Sequence, residues 1–217
     1  MKVFIPIKKN SQRVKGKNFR DFFGEPLYKH TLLKLSNFEI FVDTDSEDLK
    51  IEIESDSRLT HVRPYLREKS LIGDEVSVCD LISTWIKKYK IKEDVCQVHV
   101  TSPFLNPATI HKAFLFLKQG FDSVASANIV QTRLWREESY GFCPVNHNPV
   151  KLEQTQDLPV FYEENSLFYI FNSNYFLETG LRIGRNPFFY ECSFPENIDI
   201  DTENDWDKAV IIGKKYK

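Results

Sequence analysis

The chain has 217 residues, 41% of them apolar and 28% charged, with a formal net charge of -2, which is enough for one sizeable domain with a buried core. That near-neutral balance argues against a nucleic-acid or membrane-surface binder, since either needs a broad cationic face, and no stretch approaches the about 18 apolar residues of a transmembrane helix. The opening Met1-Lys2 and its short apolar run are too brief for a secretory leader, and Cys79, Cys96, Cys143 and Cys192 form no Cys-x-x-Cys pair, which favours reduced thiols in a cytoplasm over zinc or disulfides.

"KVFIPI" at 2–7 is short, apolar and β-branched, and predicts a buried strand. A basic, glycine-containing loop follows. "PLYKHTLLKL" at 26–35 has helical spacing, with its leucines on or near one face. A second strand is predicted at 38–42, then a polar turn in which Thr44 or Ser46 caps the next helix. "VSVCDLISTWIKKY" at 76–89 predicts an amphipathic helix and "VCQVHV" at 95–100 a third strand. Pro103 and Pro107 mark a turn before another helix, and "DSVASANIV" at 122–130 predicts a fourth strand. Strands separated by helices predict an α/β fold with a largely parallel sheet. Ligands of such sheets lie beyond the carboxyl ends of the strands, where the basic loop would fall. From 131 to 190 the chain is rich in aromatics, Asn and Pro, and is expected to be an excursion from the sheet within one domain spanning 1–217. The chain then runs through a strand-like "IDI" to a helix from about 204.

Two charged clusters stand at opposite ends. Lys8, Lys9, Arg13, Lys15, Lys17 and Arg20 are balanced by Glu196, Asp199, Asp201, Glu203, Asp205 and Asp207. On an extended segment Asp199 and Asp201 leave the same face, and two hard oxygen ligands suit Mg²⁺ when phosphate oxygens and waters complete the octahedron. A basic loop with exposed backbone N–H groups facing that pair would hold a metal-bound polyphosphate. Taken alone, a Lys/Arg-rich loop is ordinarily a solvated turn, and acids ahead of a helix serve its N-terminus. Neither a Walker loop nor Gly-x-Gly-x-x-Gly is present.

The order of the motifs adds to this. "IPIKKNSQRVKGKN" at 5–18, "FVDTDSEDL", "VRP" at 62–64, "HVTSPFL" at 99–105, "QTQDLPVFYEENSLFYI" and "IDIDTENDWDKA" together resemble the signature segments of the CMP-sialic acid synthetases (acylneuraminate cytidylyltransferases). The resemblance spans nearly the whole chain. It implies a Rossmann-like nucleotidyltransferase fold, a three-layer α/β sheet, with a protruding dimerisation segment that suits 131–190. It implies transfer of CMP from CTP to the anomeric hydroxyl of a nine-carbon keto sugar acid, with release of pyrophosphate, by a homodimer using one or two Mg²⁺ ions. Carried over by position, Lys8, Asn10, Ser11, Arg13, Lys17, Asn18, Arg63 and Ser77 would bind the nucleotide. Lys8, Arg13, Lys17 and Asp201 would carry catalysis, and Asp199 and Asp201 the metal. His99, Thr101, Ser102, Gln156 and Asn165 would face the acceptor, with Arg133 and Arg136 as partners for its carboxylate.

The chain also departs from the pattern. Gln12 stands for a loop Lys, His99 for a Gln, Leu105 and Thr155 for arginines, and Asn165-Ser166 for Asn-Gly. Most of these fall at the acceptor end, so the resemblance implies an altered sugar acid. Two alternatives remain at this point: a nucleotidyltransferase for another sugar or sugar phosphate, and a non-catalytic nucleotide-binding homologue.

Overall fold

The structure, a computed structural model, describes residues 1–10, 14–73 and 75–216. In chain order its elements are β1 (Lys2–Ile7), the two-residue strands β2 (Asp21–Phe22) and β3 (Glu25–Pro26), α1 (Leu27–Lys34), β4 (Ile40–Thr44) and α2 (Glu47–Ser55). There follow β5 (Val62–Leu66), α3 (Val78–Tyr89), β6 (Asp94–Val98), α4 (Pro107–Lys118) and β7 (Ser123–Val130). The remainder comprises β8 (Trp135–Glu138), β9 (Gly141–Pro144), β10 (Phe161–Asn172), α5 (Ser173–Thr179), β11 (Pro187–Glu191) and α6 (Glu203–Tyr216).

Seven strands form one sheet in the order β11-β7-β10-β6-β1-β4-β5. β1 pairs in parallel with β4 and β6, β4 with β5, and β11 with β7, whereas β10 runs antiparallel to both its neighbours. Alternation along the strands gives each face its own core. Val3, Ile5, Ile7 and Val42 pack with Tyr28 and Leu32 of α1, Leu49 and Ile53 of α2, and Ile110 of α4. Phe4, Phe41, Tyr169 and Phe171 pack on the other face with Leu81, Ile82 and Trp85 of α3 and Phe176 of α5. The result is the expected three-layer α/β architecture.

The helix starts follow their capping chemistry. Ser46, rather than Thr44, caps α2, its hydroxyl accepting from Leu49 N at 3.2 Å, while Thr44 Oγ1 accepts from Ser46 N at 3.1 Å. "IDI" adds no strand to the sheet; Ile200 N instead donates to Thr101 O at 2.9 Å.

The excursion expected over 131–190 is shorter than the sequence suggested. β10 and β11 belong to the main sheet, so only 131–160 leaves it. The aromatic residues of β10 are largely core: Phe168, Tyr169 and Phe171 are buried between the layers. β8 and β9 pair only with each other, in an arm that departs from the end of β7 and returns where Phe161 pairs with Val130.

β1, β4, β5 and β6 all point one way, so Ile7, Thr44, Leu66 and Val98 end on one edge of the sheet. Because β10 runs the other way and Phe168 pairs with Val98, the residues just before Phe168 meet that same edge.

Candidate active site

A cleft of about 640 Å³ opens at this carboxyl edge. Its first wall is the loop after β1. Val14 is fully buried and anchors the loop. Gly16 (φ 63°) then reverses the chain into a single 3₁₀ turn over Lys17–Phe19. The turn points the Lys17 side chain inward, where its Nζ donates to Ile200 O at 2.5 Å and Asp201 Oδ1 at 3.2 Å. Asn18 Nδ2 donates to Lys8 O at 3.1 Å, and its buried Oδ1 has no partner among the described residues. Lys8 Nζ reaches Gly73 O at 3.2 Å.

The second wall is the segment before α6. Asp199 accepts from Ser102 Oγ at 3.3 Å. Burial pushes its carboxyl above the usual carboxylate range, the hydrogen bond from Thr101 opposes this, and the charge of Asp201 adds to it. Asp201 is half-exposed. Among the described residues no cluster of three or more acidic, His or Cys side chains forms a protein-only metal cage. Two carboxylates, one of them short of compensating charge, suit a magnesium ion that keeps waters and takes its other ligands from substrate phosphates.

The floor carries a residue that the sequence reading missed. Arg67 follows the carboxyl end of β5, its backbone N donating to Thr44 O at 2.8 Å. Its Nε donates to Asp43 Oδ1 at 2.5 Å, both side chains being buried. Arg67 lines the cleft, and its Nη2 has no partner among the described residues. Burial raises the Asp43 carboxyl and the adjacent guanidinium pulls it back. Arg63, the residue the sequence pointed to, sits at the opposite end of β5. There it is exposed, paired with Glu39 at 2.7 Å, and absent from the cleft lining. The four-residue offset carries the side chain from one end of the strand to the other.

The far end of the cleft is lined by His99, Thr101, Glu164, Asn165 and Ser166. Asn165 Nδ2 donates to Asn128 Oδ1 at 3.0 Å, and its buried Oδ1 has no partner among the described residues. Ser166 holds a left-handed backbone (φ 60°) where the register of β10 against β7 shifts, which accounts for the glycine of the resembled pattern. Glu164 and Ser166 both contact the Tyr169 hydroxyl; Ser166 shows in the sequence as the departure from Asn-Gly, whereas Glu164 carries no signal beyond its neighbour Asn165.

The cleft thus joins Lys8, Asn10, Lys17, Asn18, His99, Thr101, Asn165, Asp199 and Asp201, with Ser102 supporting Asp199 from behind. Ser11 and Arg13 lie outside the described residues. Four further candidates fall elsewhere. Ser77 serves as the N-cap of α3, accepting from Cys79 N at 3.1 Å, while its neighbours Val76 and Val78 line the cleft. Gln156 lies in an exposed turn and donates to Gln154 Oε1 at 2.6 Å. Arg133 binds the Glu153 carbonyl, and Arg136 pairs with Glu138 at 2.5 Å. Those three belong to the arm and its return, and the partners just named are local to it.

Comparisons with known proteins bear on the family and the fold. A family model described as cytidylyltransferase matches residues 3–215. The chain is 30% identical to the CMP-N,N'-diacetyllegionaminic acid synthase of Legionella pneumophila, over 93% of this chain and 91% of that protein. It is 27% identical to a pseudaminic acid cytidylyltransferase of Campylobacter jejuni, over 97% and 94%. It is 29% identical to N-acylneuraminate cytidylyltransferase A of Danio rerio over 92% of this chain, which spans about half (47%) of that longer protein. In fold it is similar to a CMP:2-keto-3-deoxy-manno-octonic acid synthetase solved with CTP (TM-score 0.70, 13% identity, 100% and 99% of the two chains). A 4-diphosphocytidyl-2C-methyl-D-erythritol synthase of Anaerococcus prevotii shares the fold at TM-score 0.68 and 12% identity, over 98% and 96%. With a family match running from the first strand to the last helix, the chain belongs to the cytidylyltransferase family.

Proposed function

We propose that this enzyme transfers CMP from CTP to the anomeric hydroxyl of a nonulosonic, sialic-acid-like sugar acid and releases pyrophosphate. The observation that carries the reading is the meeting of the loop after β1 with Asp199 and Asp201 in one cleft, Lys17 Nζ standing 3.2 Å from Asp201 Oδ1. Relatives named for CMP-linked legionaminic, pseudaminic and neuraminic acids support the acceptor class.

In this reading the triphosphate lies along the loop after β1, where Lys8 and Lys17 neutralise its charge and Asn18 Oδ1, without a partner among the described residues, accepts a hydrogen bond from the nucleotide. Arg67, whose Nη2 likewise has none among them and whose orientation is fixed by Asp43, binds the nucleoside end. Asp199 and Asp201 would hold a magnesium ion, which when bound would supply Lewis-acid charge for the phosphoryl chemistry. The acceptor enters beside His99, Thr101 and Asn165, which orient its anomeric oxygen in line with the departing pyrophosphate. A bond forms between that oxygen and the α-phosphorus as the bond to pyrophosphate breaks and the hydroxyl proton is released to solvent.

The arm of 131–160 exposes Trp135, Tyr140, Phe142, Val150 and Leu152, more apolar surface than an isolated hairpin keeps in water. It pairs with a second copy in a homodimer, which sedimentation would detect as twice the chain mass. The four cysteines are free thiols, as suits a reducing cytoplasm where CTP is available.

Incubation with CTP, Mg²⁺ and a panel of nine-carbon keto sugar acids should give a CMP-linked product by mass, with equimolar pyrophosphate. CTP binding with no product from any acid would replace this reading with a non-catalytic one.

A further inference from the structure

His99 stands one residue beyond β6 at the cleft, and its support lies behind it on the same face of the sheet. Gln97, two residues earlier, is fully buried and pairs across the ladder with Tyr169. Its Nε2 lies 2.5 Å from His99 Nε2, and its Oε1 accepts from Arg182 Nη1 at 2.7 Å. Arg182 follows α5, its guanidinium 4.0 Å over the Tyr169 ring, a stacking that fixes the plane of the fork.

The donor and acceptor inventory settles the protons in this chain of contacts. A guanidinium only donates, so the Gln97 oxygen must face Arg182 and its NH₂ must face His99. An amide NH₂ also only donates, so His99 Nε2 must offer its lone pair. A neutral imidazole that accepts at Nε2 carries its hydrogen on Nδ1. An imidazolium would set N–H against N–H, and burial, with the charges of Arg182 and Lys17, holds the His99 pKa down to about 4 against the pull of Asp201.

We propose that Arg182, acting through Gln97, locks His99 as the Nδ1–H tautomer, so that the acceptor end of the cleft presents a fixed hydrogen-bond donor to an oxygen of the sugar acid. Arg182 and Gln97 are positioning residues, and the assignment of the ligand rests on the function proposed above. The amide side chain that His99 replaces can donate and accept. A locked Nδ1–H can only donate, which selects a carbonyl, carboxylate or hydroxyl oxygen and disfavours an amine or amide N–H at that point. It also removes His99 as proton acceptor for the anomeric hydroxyl, since Nδ1 has no lone pair to offer.

The tautomer is read directly by long-range ¹H–¹⁵N correlation on protein labelled at histidine, with His99 identified by loss of its signals in His99→Gln. The ligand-free wild type at pH 7 should show a protonated Nδ1 and a pyridine-like Nε2. Gln97→Glu, which puts an acceptor where the NH₂ stood, should move the proton to Nε2. Arg182→Met should give a mixture of tautomers, and Arg182→Lys, which keeps a donor to Gln97 Oε1, should restore the wild-type pattern. With a working acceptor, Arg182→Met should raise its KM by about tenfold and leave the CTP KM in place. An Nε2–H or imidazolium form of His99 in the wild type, or a tautomer that ignores Gln97→Glu, would overturn the proposal. These spectra need no substrate, so they stand apart from any failure of the transferase reading.

Discussion

Lys17 and Asp201 lie 184 positions apart in the chain, yet the Lys17 ammonium donates to Asp201 Oδ1 at 3.2 Å while also holding Ile200 O. Lys17 is only 8% exposed, and a lysine so placed needs compensating partners. The contact therefore closes the cleft across the two ends of the polypeptide, and a triphosphate with its magnesium would share it.

Replacing Asp201 removes a half-exposed carboxylate, so the fold should survive. Asp201→Ala is expected to lower kcat by about 10²- to 10³-fold and to lower the unfolding temperature modestly, because the buried Lys17 loses one of its partners and keeps Ile200 O. Full turnover with magnesium present would refute the metal assignment.

Arg67 and Arg63 separate the two ends of β5. Arg67→Met leaves Asp43 buried without its partner and should cost about 3–5 kcal/mol, with a raised CTP KM. Arg63→Met breaks an exposed pair with Glu39 and should stay within about 0.5 kcal/mol of wild type, with CTP binding intact. Denaturant titration and CTP kinetics on the pair check this; equal effects of the two substitutions would reverse the placement of the nucleoside end.

Asp199 sets a pH dependence. Its folded carboxyl titrates above the unfolded value, mainly through burial. Below both values the group is neutral in either state and costs nothing. As pH rises from the unfolded carboxylate range to the raised folded value, the unfolded chain ionises while the folded carboxyl keeps its proton, so stability falls until, above the folded value, the folded protein carries the charge at a cost. Asp199→Asn should therefore be inactive yet melt at a higher temperature than wild type at pH 7 in a chelator, the gap narrowing as pH is lowered. A gap independent of pH would contradict the burial argument.

Ser166 pays for a left-handed backbone (φ 60°) at the edge of the acceptor site. Ser166→Gly and Ser166→Ala both lose the contact of its hydroxyl with Tyr169, so their difference isolates the backbone. The glycine variant should be more stable than the alanine one by about 1 kcal/mol, as read by urea unfolding.

Much of this arrangement is legible in the sequence because it is local. β1, β4, β6 and β7 are short apolar runs, and the helices between them carry period and caps, so a parallel sheet with a ligand edge follows. Asp199 and Asp201 share a face for the same reason. β5 is hidden because Pro64 and Arg63 interrupt it, which an edge strand tolerates. β10 looks like an excursion because its early residues are polar and exposed before the chain turns into the core at Leu167. Arg63 is mistaken for Arg67 because two arginines four residues apart, one within β5 and one just past its end, look alike until the strand has a direction. Gln97 passes unseen inside an apolar strand, since its role depends on Arg182, 85 positions away.

The central claim is that one nucleotide bridges the loop after β1 and the paired aspartates. The most direct measurement is equilibrium CTP binding with and without magnesium, in the wild type and in the double variant Asp199→Asn/Asp201→Asn. Magnesium should tighten CTP binding to the wild type and make no difference to the double variant. An equal magnesium effect in both proteins, or none in the wild type, would contradict the account.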